Sequence, residues 1–192
     1  MKKLCFATGN KNKLAEIQQL LEGQFQVLSF EDIGFDEEIE ETGTTLPENA
    51  QIKARTIHER FGLDVFADDT GLEVDALNGA PGVYSARYAG ENCSYQDNVD
   101  KLLREMRNAE NRNARFKTSI CLILEDQEYF FDGIVDGTIT TSASGNEGFG
   151  YDPVFKPVGY EQTFAEMEAS QKNEISHRGR AIRKLADFLS NR

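Results

Sequence analysis

The feature that most constrains this chain is an alternation of apolar and polar residues near its middle. In residues 115–125, Phe116, Ile120, Leu122 and Leu124 recur with period two, the spacing of a strand with one buried face. Asp126-Gln127 reads as a turn, and residues 129–135 as the returning strand of a hairpin. Around the hairpin the periodicity becomes helical. Leu14, Ile17, Leu20 and Leu21 share one helix face, closed by Gly23. Ala50, Ala54, Ile57 and Phe61 share a second, opened by Pro47 and closed by Gly62. Val99, Leu102, Leu103 and Met106 mark a third helix, and Ile182, Leu185, Ala186 and Leu189 a fourth. Short strands are expected at residues 4–7, 27–30 and 63–67, the last ending directly at Asp68 and Asp69, and Ile139 starts another. Residues 31–48 read as an exposed acidic loop, 71–92 as ordered loop with short elements, and 141–151 as a small-residue, Gly-rich loop. Thr163 to Glu166 matches a capping box. Mixed helices and strands with a hairpin between them fit α+β or mixed α/β, and hydrophobic pattern alone does not choose.

The 192 residues fit one domain, large enough to bury a core without disulfides or a structural metal. With 21 Lys plus Arg against 33 Asp plus Glu, the formal net charge is −12. That balance argues against wrapping nucleic acid and against an anionic membrane face, while a local basic pocket stays compatible with it. Cys5, Cys93 and Cys121 are odd in number and lack CxxC spacing, so they are neither a disulfide framework nor a zinc site. The apolar run at residues 4–7 is too short for a signal-peptide core, and no stretch reaches bilayer-spanning length, so a reduced cytoplasmic protein is expected.

Three regions carry chemistry. Thr8-Gly9-Asn10 lies between a strand and a helix, with Lys11 and Lys13 close behind. Helix N-terminal amides attract anions, Gly9 lets a ligand approach the backbone, and the hydroxyl, amide and lysine add donors; an ordinary capped helix fits the same spacing. Glu40 and Glu41 in the acidic loop and Asp68-Asp69 at a strand end are hard oxygen donors for Mg²⁺, or a base for an attacking water; acidic pairs on the surface of so acidic a chain fit the same pattern. Thr70-Gly71 reads as a specific turn, and Lys53 pairs with phosphate if its helix flanks the site. In Gly148-Phe149-Gly150-Tyr151-Asp152-Pro153 the glycines permit close approach, either ring suits a planar base, and Asp152 suits a hydrogen bond. Lys172, His177 and Arg178 are donors suited to a purine carbonyl oxygen. A tight turn with Phe149 in the core and a core-bonded His177 fit these segments equally. His58 reads as a surface residue.

Read together, ATGNKNK at 7–13, EETGTTLPENAQIKA at 40–54, FADDTGLEVDALNGAPGVYSARYAG at 66–90, GFGYDPVF at 148–155 and KNEISHRGRA at 172–181 resemble the Ham1/inosine triphosphate pyrophosphatase family, bacterial branch. The resemblance implies an elongated α/β fold of two lobes with a mixed sheet, a nucleotide cleft between the lobes, and a homodimer. It implies Mg²⁺-dependent hydrolysis of ITP, dITP and XTP to the monophosphate and pyrophosphate. It assigns Thr8, Asn10, Lys13 and Lys53 to the phosphates, Glu41, Asp68 and Asp69 to the metal, and Asp69 to proton acceptance. Phe149 stacks on the base, Asp152 lines its pocket, and Lys172, His177 and Arg178 read the purine. Gly9, Thr70, Gly150 and Tyr151 complete the expected substrate-binding set. Residues 137–147, GTITTSASGNE, lack the Pro-Arg-Gly that many members carry before GFGYDP.

Overall fold

The computed structural model describes residues 2–192. In chain order the elements are β1 (Lys2–Phe6), α1 (Lys11–Leu20), β2 (Phe25–Leu28), α2 (Phe30–Ile33), α3 (Leu46–Phe61), β3 (Val65–Val74), β4 (Pro81–Gly82), α4 (Tyr95–Glu105), β5 (Asn113–Leu124), β6 (Gln127–Ile139), β7 (Phe155–Pro157), α5 (Ala169–Ile175) and α6 (His177–Ser190). The strands follow the order β2-β1-β3-β5-β6-β7, with β4 paired to β3. β1 runs parallel to β2 and β3, whereas β4 is antiparallel to β3 and β7 to β6, so the sheet is mixed and the fold is α/β. Among the described residues no helix is long and apolar enough to cross a membrane.

The chain divides into two compact units. The first takes the chain up to Asp69 with residues 118–133 and 179–192. Its strands alternate strictly between two apolar layers. Leu4, Phe6, Phe66, Ile120, Leu122 and Leu124 pack with Ile17 and Leu21 of α1 and with Ala181, Ile182 and Leu185 of α6. Cys5, Ala7, Val65, Ala67, Cys121 and Ile123 pack on the other side with Ala50, Ala54 and Ile57 of α3. The second unit, residues 70–117 and 134–178, has its own core of Leu72, Val74, Val99, Leu102, Phe116, Val135, Phe155 and Phe164, among others.

The helix signals act as expected at α3. Thr45 forms a reciprocal cap with Glu48, Pro sits in the first turn, and Gly62 closes the helix in the left-handed region at φ 64°. Four expectations are corrected. β3 does not stop at residue 67; it runs through Asp68, Asp69, Thr70 and Gly71, so the two aspartates lie inside a strand and Thr70-Gly71 is not a turn. The ladder continues because Leu72 and Glu73 pair with Gly82 and Pro81, and Leu72 and Val74 are buried. Residues 31–48 hold the last three of the four residues of α2, capped by Ser29 and Asp32 and too short to show a period, and the first turn of α3. Ile139 ends β6 rather than opening a strand. Thr163 forms no cap; its hydroxyl donates to the Ser144 carbonyl at 2.7 Å.

His58, expected on the surface, is half-buried and tied at both ring nitrogens. Nδ1 lies 2.8 Å from the Leu63 carbonyl and Nε2 2.9 Å from Asp126 Oδ1. The Leu63 carbonyl, then Asp126, raises its pKa. A histidine raised on folding stabilises the fold below its unfolded pKa, and that contribution fades as pH climbs through the folded value. Asp126 is exposed, which screens the pair and keeps the effect below about 1 kcal/mol. His58→Gln is therefore expected to lower the melting temperature by about 1–3 °C near pH 5.5 and by less near pH 8.5, checked by calorimetry at both.

Candidate active site

The residues singled out for phosphate and metal fall in the first unit. At the start of α1, Asn10 Oδ1 accepts the N–H groups of Asn12 and Lys13 at 3.0 and 3.2 Å, and Thr8 Oγ1 accepts that of Asn10 at 3.1 Å. The first turn carries no carboxylate, which leaves the positive end of the helix dipole uncancelled. An added Cβ at Gly9 meets no protein atom within 4 Å, so packing does not demand glycine there.

Strand alternation sends Asp68 and Asp69 to opposite faces of β3. Asp68, 1% exposed, follows Phe66 toward α1 and meets Lys13 Nζ at 3.2 Å. Asp69 follows Ala67 toward α3 and accepts from Asn49 Nδ2 at 3.1 Å. Asn49 and Lys53 stand one turn apart on α3, hence on one face. Lys53 Nζ donates to the Asp68 backbone carbonyl at 2.7 Å, with Glu41 Oε1 at 3.3 Å and Asp69 Oδ1 at 3.9 Å. Two carboxylates thus converge where an ammonium already sits, a position that favours positive charge. Among the described residues no group of three or more His, Cys, Asp or Glu side chains is placed to hold a metal ion. Burial lifts the Asp69 carboxyl to about 6, above the ordinary carboxylate range, against the pull of Lys53, Lys13 and the Asn49 bond.

The residues singled out for the base fall in the second unit. Lys172 and Asp152 form a buried ion pair, Nζ to Oδ2 at 2.6 Å, with both side chains at most 5% exposed. The same oxygen accepts the Phe149 N–H at 3.0 Å. Gly148 has φ 70°, and a Cβ there would run into the Asp152 carboxylate, so only glycine fits. The Lys172 ammonium lies 4.9 Å from the half-buried Phe149 ring centroid and the Arg178 guanidinium 5.6 Å from it. Arg178, 2% exposed, donates to Thr70 Oγ1 at 3.1 Å. His177 opens α6 and stacks on Phe116 at 4.5 Å. Tyr151 is buried with its hydroxyl donating to the Ser85 carbonyl at 2.7 Å, so Phe149 is the aromatic with the more open ring. Gly150 keeps a positive φ of 62° beside it. A buried arginine, a buried lysine and a half-open ring in one network suit a flat heterocycle with hydrogen-bond acceptors.

Two members of these groups escaped sequence reasoning. Asn49 looked like one polar residue on a helix; only its burial beside Asp69 reveals it, and its Oδ1 also accepts the Gly43 N–H at 2.8 Å. Tyr95, at the start of α4, reaches the Phe149 ring at 5.9 Å. No spacing signal links residues so far apart in sequence.

Comparison with known proteins gives concordant results. The Ham1 family model matches residues 4–188. A dITP/XTP pyrophosphatase from Flavobacterium psychrophilum is 52% identical over 188 residues, covering 98% of this chain and 99% of its own. A HAM1 protein from Coxiella burnetii has a similar structure, with TM-score 0.91 and 37% identity over 100% of both chains. The Staphylococcus aureus Ham1 protein gives a TM-score of 0.89 at 39% identity over 99% of each chain. The mixed-sheet α/β fold expected from the sequence is the fold of these structures.

Proposed function

This chain belongs to the Ham1 family, and on that premise we propose that it hydrolyses the non-canonical purine nucleoside triphosphates ITP, dITP and XTP to the monophosphate and pyrophosphate. The observation that carries the reading is the buried Asp69, held by Asn49 and facing Lys53 and Glu41. A nucleoside triphosphate demands an anion-binding helix start with nearby lysines, a base for water, and a platform for a purine. Residues suited to the first two lie in the first unit, and residues suited to the third lie in the second.

Magnesium fits the donor set, because it takes one or two carboxylates together with substrate phosphate oxygens rather than a full protein cage. Glu41 and Asp69 are the residues that would hold it. When bound, the ion draws negative charge off the phosphates. The chain's own groups do the rest. The α1 amides, Thr8, Asn10 and Lys13 bind the phosphate tail. Asp69 accepts a proton from water as its oxygen attacks the α-phosphorus; the bond to the bridging oxygen breaks and pyrophosphate leaves. Lys13 and Lys53 offset the charge gathering on that leaving group. Asp68 holds Lys13 in place.

In the second unit Phe149 stacks on the base, while Lys172, His177 and Arg178 donate toward the 6-keto oxygen. The amino group of ATP leaves such donors mispaired, at about 1–3 kcal/mol for each buried group. We propose in addition that the protein works as a homodimer in the cytoplasm; light scattering of the purified protein checks the dimer. Assay of that protein with Mg²⁺ is expected to show turnover of ITP, dITP and XTP with ATP nearly untouched. Equal turnover of ATP and ITP would contradict the base assignment, and no turnover of any of them the whole reading.

A further inference from the structure

We infer that Tyr95 is a positioning residue of the base site, acting through Phe149; the inference rests on the stacking role given to Phe149 above. Tyr95 is the first residue of α4, and that helix start is fixed on several sides. Ser94 Oγ accepts the Asp97 N–H at 3.1 Å, while Asp97 Oδ2 accepts the Ser94 N–H at 2.8 Å. Asn98 accepts the Ala89 N–H at 2.7 Å and donates to the Ala86 carbonyl at 3.1 Å. Val99 and Leu102 anchor the helix in the core of the unit.

From this support the Tyr95 ring meets the Phe149 ring with centroids 5.9 Å apart and planes at 43°, a favourable tilted pair. Tilted rings offer no parallel slot, so Tyr95 braces Phe149 instead of stacking on the base. Beside the Lys172 and Arg178 cations near its ring, Tyr95 gives Phe149 an aromatic contact. Phe149 lies between Gly148 and Gly150, which have positive φ, and its ring is only half-buried. Its backbone N–H is fixed by Asp152, but that bond does not orient the ring. Tyr95 is 44% exposed, so its placement on Phe149 is not a by-product of core packing. A ring held in one orientation is pre-organised for a flat base, which lowers the cost of binding without touching the phosphates.

Steady-state kinetics on a double-mutant cycle test this. Tyr95→Ala is expected to raise KM for ITP about three- to tenfold, with kcat and inhibition by pyrophosphate nearly unchanged. Alanine is a good helix former, so α4 is retained. Tyr95→Phe keeps the ring and the low KM. In a Phe149→Ala background, Tyr95→Ala adds no further rise. No rise in the otherwise unsubstituted enzyme, or an equal rise in both backgrounds, overturns the brace. An unsubstituted protein that leaves ITP intact refutes instead the base-site reading beneath it.

Discussion

Asp69→Asn is expected to cut kcat for ITP by about 10²- to 10⁴-fold while the protein stays folded. The size of the loss follows from chemistry: a neutral amide cannot take the proton from water. The retained fold follows from structure. Asp69 is buried at the strand position facing α3, and an asparagine there keeps an oxygen for the Asn49 amide, 3.1 Å away in the parent. Removing a buried carboxylate also removes a desolvation cost. Asp68→Asn distinguishes the two neighbours. It weakens the hold on Lys13 at 3.2 Å and leaves Asp69 intact, so its loss in kcat is expected to be smaller. Comparing the two variants' kinetics and melting curves checks both parts. An Asp69→Asn enzyme with near-parental kcat would remove the proposed base.

Lys172→Met is expected to destabilise the fold by about 3–5 kcal/mol, because it leaves the Asp152 carboxylate buried without its cation. In a chain of this size that is a fall of about 6–20 °C in melting temperature. The pair is short, 2.6 Å, and both side chains are almost fully buried, so water does not rescue the orphaned charge. Adding Asp152→Asn is expected to restore most of the lost stability. It removes the uncompensated charge while keeping an oxygen for the Phe149 N–H, which stands 3.0 Å from Asp152 in the parent. The double variant is not expected to regain a low KM for ITP, since the ammonium 4.9 Å from the Phe149 ring is gone. Thermal melts and ITP kinetics on the two variants separate the contributions.

What the sequence made legible is what local physics decides. Thr45, Pro47 and Gly62 bound α3 because capping, proline and left-handed glycine act within a few residues. The alternation in β5 reflects one buried face only in its first half; from Thr118 to Leu124 every residue is buried, so the single buried face expected from the sequence is corrected to two. The course of β3 past Ala67 was not legible, since polar Asp68, Asp69 and Thr70 break its apolar run and its β4 partners come from a separate turn. Nor does a neighbouring pair of aspartates announce its partners: alternation along the strand brings Asp68 to Lys13 and Asp69 to Lys53. The candidate residues could be named one by one from the sequence, but their partnerships could not. Lys172 and Asp152 are twenty residues apart and Arg178 and Thr70 more than a hundred, and no periodicity joins such positions.

In the proposed reaction water attacks the α-phosphorus. Hydrolysis of ITP in water labelled with heavy oxygen, followed by mass analysis of both products, tests it directly. The label is expected in the monophosphate, with unlabelled pyrophosphate beside it. Label in pyrophosphate, or release of labelled orthophosphate and a diphosphate, would place the attack at another phosphorus and contradict the account.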